Sequence, residues 1–524
     1  MKKTMAAHPP FSPFHQGERD VQTRLGVRDR VEEIGQRFIR SYLPEQHREF
    51  YQQLTYLFIG SVDALGRPWA SVVVGRRGFI QSPDEHRLHI AAPRINGDPL
   101  DANIMPGSPV GVLGIQYETR RRNRLTAKIE AVEQQALTLK VDQSFGNCPQ
   151  YIQTREPTLL PSIDTVGEPR PRTSLHVLND RAMEIIRRAD NFYIATHYSD
   201  GGNDVTHGAD VSHRGGRPGF VRIDNDRTLT VPDFAGNHHF NTIGNLVLNP
   251  RAGLLFIDFE SGDLVYLTCS AEIIWDSEEK RAFHGAERLV RFTVDEGQLL
   301  ENALPVRWQF LEYSPNLERL GAWEEVAETL AARKAANVYR NYTVARVERE
   351  SDVITSFYLE PDGGGPIPSH CAGQFLPIEI QPPGFESTLK RTYTISNAPN
   401  GAYYRLSIKR EPPAAPGLPA GISSNYFHDH VEVGSTISAL SPRGRFLLEA
   451  CSVRPIVLLS AGVGVTPMIS MLEQLAGELR LQPQSLVYPR CSQRKAAWLP
   501  RPCAEHRAEL VQPDYALRLQ RARR

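Results

Sequence analysis

Arg391-Thr-Tyr-Thr-Ile-Ser396 and, about seventy residues further on, Ala461-Gly-Val-Gly-Val-Thr-Pro-Met468 decide how the C-terminal part of this chain is read. In the first stretch Arg391, Tyr393, Thr394 and Ser396 alternate with smaller residues, which predicts an extended strand whose arginine, aromatic ring and hydroxyl share one face. Such a face suits a flavin. The ring can stack on an isoalloxazine, and the guanidinium and hydroxyls can bind a pyrophosphate through charge-assisted hydrogen bonds. The second stretch follows the apolar run Pro455-Ile-Val-Leu-Leu-Ser460, so Gly462 and Gly464 fall where a buried strand turns into a helix. Thr466 is a good N-cap there and Pro467 suits the first helical position. A Gly-x-Gly after a strand is, by itself, more often a tight turn than a nucleotide site.

Five motifs stand in order between 338 and 478: RTYTISNAP, YRLSIKRE, GISSNYFHDHVEVGSTI, PRGRF and LLSAGVGVTPM. Together they resemble the ferredoxin-NADP reductase superfamily, especially the reductase part of flavohaemoglobins. The resemblance implies an antiparallel FAD-binding barrel over 336–448 and the start of an α/β NAD(P)-binding domain over 453–480. It implies that Arg391, Tyr393, Thr394 and Ser396 hold the flavin, and that Ile408, Lys409 and Arg410 lie on the next strand beside the FAD diphosphate. Gly421, Ser424 and Asn425 resemble the phosphate-binding turn that opens a short helix, and Gly462, Gly464 and Thr466 resemble the turn that meets the nicotinamide nucleotide. Thr394 stands where many relatives have serine, and either hydroxyl can bond the flavin N5 region. After Thr466 the residues Met468, Ile469, Met471, Leu472 and Leu475 form an apolar stripe expected to pack on the sheet.

Relatives continue with further strands and helices. Here 481–524 carries nine Lys or Arg against three Asp or Glu, with many prolines and little strand patterning. The expectation is a truncated nucleotide domain with an aberrant or disordered basic tail; a basic arm for a partner ranks below it.

Composition sets outer bounds. A chain of 524 residues is too long for one core. With 60 basic and 60 acidic residues, no whole-chain field points to nucleic acid or an anionic membrane. The start MKKTMAAHPPFSPFHQGE lacks an apolar core segment, so the expected address is the cytoplasm. Six scattered cysteines form no C-x-x-C pair, and no metal site is expected.

A repeat organises the rest. Segments 53–135 and 189–276 share a layout, and from Gly111/Gly253 to Val132/Ile274 the offset stays at 142 residues. Short alternating strands bounded by Gly, Asp, Asn and Pro predict an antiparallel barrel made twice. Helical patterns are expected at 22–40, 179–189 and 277–300.

The second copy carries Ser212-His-Arg-Gly-Gly216, Pro232-Asp-Phe, Gly236-Asn-His-His-Phe-Asn-Thr242 and Asn249-Pro-Arg-Ala-Gly-Leu-Leu-Phe-Ile-Asp258. These resemble the pyridoxamine 5'-phosphate oxidase-like split barrels, which commonly hold FMN at a dimer interface. Ser212 and Arg214 could clamp a phosphate while Asn237, His239, Asn241 and Thr242 hydrogen-bond a ring or ribityl chain. The first copy lacks the HHFNT cluster, consistent with a barrel kept and a ligand lost. Arg120-Arg121-Arg122-Asn-Arg124 is expected to form an exposed hairpin tip.

The fold expected is multidomain and mainly β: tandem split β-barrels, an antiparallel FAD-binding β-barrel, then the start of an α/β nucleotide-binding domain. Its parts are an N-terminal extension 1–45, repeats 46–178 and 179–325, the FAD barrel 336–448, the nucleotide segment 453–480 and the tail 481–524. The function expected is a flavin-dependent oxidoreductase moving electrons from NAD(P)H through FAD to a small-molecule or protein acceptor, with FMN as a second flavin and a homodimer through the split barrels. No catalytic acid or base is assigned. The alternatives are a non-catalytic flavin- or haem-binding module with an inert reductase remnant, or a pyridoxamine phosphate oxidase-like enzyme.

Overall fold

The computed structural model describes residues 12–448, 456 and 458–480, which divide into two compact units at Leu330/Ala331. In the first unit the period-two runs become strands β1 (Tyr56–Val62), β2 (Pro68–Val74), β3 (Ile80–Gln81), β4 (Arg87–Ala91), β5 (Pro109–Gln116), β6 (Arg121–Glu133) and β7 (Ala136–Gly146). They pair antiparallel in the order β2-β1-β5-β6-β7-β4-β3. After β8 (Thr154–Leu159) and β9 (Arg172–Leu175) come β10 (Asn191–Tyr198), β11 (Gly208–Gly215), β12 (Arg222–Ile223), β13 (Thr228–Phe234), β14 (Arg251–Ile257), β15 (Leu264–Ile274) and β16 (Ala286–Leu300). Their order, β11-β10-β14-β15-β16-β13-β12, is the first path shifted by nine strands, with β9 added on β16. β17 (Val306–Glu312) pairs with β8.

The repeats face one another across an approximate twofold axis. Phe58 lies opposite Leu113 and Tyr193 opposite Leu255, so these aromatic residues are counterparts. They stack on each other with centroids 3.5 Å apart, as residues on a dyad must. The close crossings are reciprocal too. A Cβ on Gly111 would sit 2.6 Å from Asp210 Cα, and one on Gly253 2.5 Å from Trp69 Cα. Each repeat keeps its own apolar core, and a third core with Tyr56, Phe58, Tyr117, Tyr193, Tyr266 and Trp308 lies between them. At about 1.5–3 kcal/mol per buried large side chain, that shared core is a main reason the repeats hold together.

Helices Gln16–Arg24 and Arg28–Phe38 stand where one pattern was expected over 22–40, and Asp180–Arg188 matches the second joint. The third expectation fails. Only Glu278–Ala282 is helical, and 286–300 is strand β16. Its Leu289-Val-Arg-Phe-Thr-Val294 run ladders with β13 and β15, where β-branched and aromatic side chains gain more from sheet neighbours than from a helix.

In the second unit β18 (Arg340–Arg349), β19 (Ile354–Pro361), β20 (Phe375–Ile380), β21 (Leu389–Thr394), β22 (Tyr404–Lys409) and β23 (Thr436–Ala439) run in the order β21-β20-β23-β18-β19-β22. One bridge, Ile395 to Leu406, joins the two ends of this path. None of the sheets closes through a continuous ring of ladders, so the barrels expected from the sequence are open. Helix Ile422–His430 plugs the core with Phe427. A 3-10 turn, Gly462–Val465, then leads into helix Thr466–Arg480. That helix is tied down by Ser470 Oγ donating to Asn397 O at 2.7 Å and by Glu473 pairing with Arg405 at 2.7 Å. Within the expected stripe Met471 is buried, but Leu472 is exposed. Of the run 455–460 expected as a buried strand before Gly462, the described residues 456 and 458–460 form no strand; positions 455 and 457 and the tail 481–524 lie outside the described residues. Among the described residues no helix is long and apolar enough to cross a membrane.

Candidate functional site

A charged cleft lies between the repeats of the first unit. Ser212, His213 and Arg214 reach it from β11, Asp233 and Phe234 from the end of β13, and Gly236–His238 from the following loop. Asn241, Thr242 and Ile243 begin helix Asn241–Leu248, while Arg122, Arg124 and Asn147 come from the first repeat. The chain enters the helix through Phe240 in the left-handed conformation, φ 63°, and no side chain caps it. Its first amides are therefore open to an acceptor, and the helix dipole favours an anion there.

The arginine run corrects the expectation of an exposed hairpin tip. Arg120 makes the turn at φ 55° and Arg121 is exposed. Arg122 and Arg124, however, sit two apart on β6 and so share a face. Arg124 is only 6% exposed and pairs with Asp210. Burial, then the Arg122 and Arg214 charges, pull the Arg124 pKa down, as expected for clustered cations. Arg214 pairs with Asp233 at 2.7 Å, and the same carboxylate takes the fully buried Arg288 at 2.9 Å. Arg122 donates to His213 O at 3.5 Å and has no carboxylate partner among the described residues.

Several buried polar atoms lack partners here: Arg122 Nε, Arg124 Nε, His238 Nδ1 and both ring nitrogens of His213, one of which is a donor and the other an acceptor in the neutral ring. His213 is 5% exposed, its ring set edge-on to Tyr117 and Tyr193. Burial, then Arg122, Arg155 and Arg214, hold its pKa well below the usual histidine range, so it is neutral. Unsatisfied buried polar atoms are costly, at roughly 1–3 kcal/mol each. A cationic cluster with orphaned donors at an open helix start fits a phosphate-bearing ligand.

The sequence-selected residues divide. Thr242 Oγ1 donates to Ser212 Oγ at 3.1 Å, joining two of them at the cleft. Asn237 Nδ2 donates to Asn147 Oδ1 at 2.7 Å, a link between repeats. Asn241 Nδ2 donates to Glu18, while Arg124 donates to its Oδ1 at 3.4 Å. His239 is turned elsewhere: its ring packs between Phe14 and Phe145, at 5.5 and 5.6 Å, and His238 lines the cleft instead. The left-handed backbone at His238 and Phe240 rotates the cluster, which strand parity alone cannot foresee. Arg122, Arg124 and His213 were missed. The 142-residue offset was the available signal, because it sets Arg124 against Tyr266 inside a strand.

In the second unit strand parity puts Arg391 and Tyr393 on one face of β21 and Thr394 on the other, so the expected single face splits. Tyr393 is half-buried, edge-on to Phe427, with its hydroxyl 2.8 Å from Ser423 Oγ. Arg391 is exposed and, among the described residues, donates only to Lys390 O at 2.8 Å. Ser396 is fully buried and donates to Arg405 O at 3.0 Å, with Ser407 Oγ at 2.8 Å, so its hydroxyl serves the sheet. Ile408 is in the core, and its carbonyl accepts from His428. Lys409 pairs with Glu411 and Arg410 with Asp429. Gly421 is the N-cap of helix Ile422–His430, with no side-chain cap. Ser424 Oγ donates to Gly421 O, and Asn425 Nδ2 donates to Gly421 O at 2.7 Å and Glu411 O at 2.9 Å, bracing the turn. Gly462, at φ 56°, and Gly464 are exposed in the 3-10 turn, and Thr466 donates to Val463 O at 3.0 Å. Among the described residues no three His, Cys, Asp or Glu side chains are placed to hold a metal ion.

Residues 178–302 match the family model described as pyridoxamine 5'-phosphate oxidase. The chain is 45% identical over 137 residues to the flavohemoprotein of Bacillus thuringiensis subsp. konkukian, covering 26% of this chain and 34% of that protein. It is 36% identical over 191 residues to the flavohemoprotein of Halalkalibacterium halodurans, covering 33% and 46%. Among solved structures, the flavohem-like FAD/NAD binding domain of nitric oxide dioxygenase from Vibrio cholerae is 39% identical, over 26% of this chain and 57% of that one, with a TM-score of 0.25. The chain thus fuses a pyridoxamine 5'-phosphate oxidase-like domain to a flavohemoprotein reductase-like part, and it spans less than half the length of these curated relatives.

Proposed function

We propose that this protein is a flavoprotein oxidoreductase that takes electrons from NAD(P)H into FAD held by the unit from 331 and passes them to a small-molecule or protein acceptor. The observation that carries the reading is the face of β21 on which Arg391, with no carboxylate partner among the described residues, stands beside Tyr393, itself hydrogen-bonded to Ser423 at the uncapped start of helix Ile422–His430. A guanidinium, an aromatic ring and open amides are the groups a flavin with a diphosphate needs. The similarity to flavohemoproteins supports it.

Bound FAD supplies hydride acceptance and one-electron release. The chain's residues then have positioning roles: Arg391 neutralises the diphosphate, Tyr393 packs on the ring system, and Thr394 offers a hydroxyl from the other face of β21. Gly462, Gly464 and Thr466 make the turn for the nicotinamide nucleotide. The cleft between the repeats is read as the seat of FMN, its phosphate end held by Arg122, Arg124, Arg214, Ser212 and the first amides of helix Asn241–Leu248. The face by which two such sheets would pair between copies is used inside the chain, so the cleft needs no homodimer. Among the described residues Cys148, Cys269 and Cys371 form no disulfide, in keeping with the cytoplasmic address proposed.

Mass identification of flavin released from the purified full chain, followed by anaerobic titration with NADH and NADPH, tests this. Bleaching of a bound flavin is expected. Arg391→Ala should weaken FAD by about 10–100-fold, since a hydrogen bond to a charged group contributes roughly 1.5–3 kcal/mol. A colourless protein that takes up no added FAD ends the reading.

A further inference from the structure

The ladders allow the cleft to be mapped, residue by residue, onto its twin in the first repeat. Val72 lies opposite Phe58 as His213 lies opposite Tyr193, so Ser71 is the counterpart of Ser212 and Val73 of Arg214. Leu113 faces Arg124 as Leu255 faces Tyr266, which makes Tyr266 the counterpart of Arg124 and Leu264 that of Arg122. The following segments correspond too. Asn103 Nδ2 donates to Ser61 Oγ at 3.0 Å, and Asn245 Nδ2 to Thr196 Oγ1 at 3.0 Å, so Thr242 matches Leu100 and Phe240 matches Asp98.

In the twin, three donors converge on one buried carboxylate. Asp98 is 4% exposed, and it accepts from Ser71 Oγ at 2.5 Å, Leu100 N at 2.8 Å and Tyr266 Oη at 2.8 Å. In the cleft, the counterparts of two of these donors are Ser212 and Thr242 N, and the third is replaced by Arg124. Where the twin has Val73, Leu264 and Tyr266, the cleft has Arg214, Arg122 and Arg124, and Phe240 brings no carboxylate. His213, nine-tenths buried with both ring nitrogens unpartnered, lines the same cleft from the neighbouring position on β11, where the twin has Val72 in the apolar core.

We infer that the two repeats carry equivalent anion seats, that Asp98 fills the first with the protein's own carboxylate, and that the second takes the anionic group of an external ligand at the position marked by Asp98. The first unit then binds one anion-bearing ligand per chain where a symmetric pair would bind two. The identity of that ligand as FMN rests on the proposed function; the equivalence of the seats does not.

Two full-chain variants test the inference, with inorganic phosphate and FMN as probes in calorimetric titrations against the wild-type chain. Asp98→Ala combined with Tyr266→Arg empties and recharges the twin, and is expected to gain one equivalent of phosphate. Phe240→Asp places a carboxylate in the cleft, where an aspartate tolerates the left-handed backbone. It should weaken phosphate and FMN by about tenfold or more, the effect of one charge-assisted hydrogen-bond site lost. A folded double variant with wild-type stoichiometry overturns the inference, as does undiminished binding by Phe240→Asp. A wild-type chain that binds phosphate but no FMN removes the FMN reading alone and leaves the paired seats standing.

Discussion

Within the cleft, Arg122 carries a charge that no carboxylate among the described residues offsets, whereas Arg124 and Arg214 are held by Asp210 and Asp233. Removing Arg124 would strand a buried acid and cost about 3–5 kcal/mol of stability, so binding and folding would fail together. Arg122→Met separates them. Its phosphate and FMN affinity should fall about 10-fold or more while the melting temperature stays near wild type, measured by calorimetry with and without ligand. Glu18 offers a pH test. Burial pushes its carboxyl from an ordinary 4.5 up to about 8, against the His15 amide and Asn241 that favour its charged form. Between those values the folded chain keeps a proton that the unfolded chain has released, so stability falls as pH rises. His15 and His239, pulled by burial from 6.5 to about 4, act in the opposite sense below 6.5. From pH 6.5 to about 8 the Glu18 effect is therefore no longer offset by them, on the order of 2 kcal/mol. Glu18→Gln should flatten the fall in melting temperature across that window; an unchanged slope would rule out Glu18 as its source.

Helix Gln16–Arg24 lies against helix Asn241–Leu248 through facing glycines. A Cβ on Gly17 would strike Gly244 O, and one on Gly244 would sit 2.6 Å from Glu18 N. This crossing lets Glu18 reach Asn241 at the base of the cleft, so an element read from the sequence as an extension is part of the site's support. Gly244→Ala should cost about 1–3 kcal/mol through overpacking and weaken ligand binding with it, seen as a lower melting temperature and a raised dissociation constant. Strand alternation and turn residues made most sheet elements legible. The helical reading of 277–300 failed because a 15-residue strand flanked on both sides answers to its neighbours rather than to local propensity.

At the scale of the whole molecule, two sheets of one topology meet about a pseudo-dyad within the first unit. Gly253 sits where the backbone of β14 crosses that of β2. Gly253→Val should force the repeats apart, destabilising the first unit by about 1–3 kcal/mol or more; a calorimetric transition unchanged from wild type would contradict the crossing. Local order in the chain, such as the alternation along β21, the 142-residue periodicity and the glycines before Thr466, determined the mainly β class, the duplication and the reductase-like segment. These properties depend on neighbours in sequence, and a side-chain period of two can be read from letters alone. Tertiary structure alone decided that the strand face carrying Arg122 and Arg124 lines one cleft with Ser212, that His238 rather than His239 lines it, and that Ser71 and Tyr266 converge on Asp98. Each of those outcomes depends on where a second sheet, a left-handed residue or a distant carboxylate arrives in space, and contacts between residues far apart in sequence leave no periodic trace.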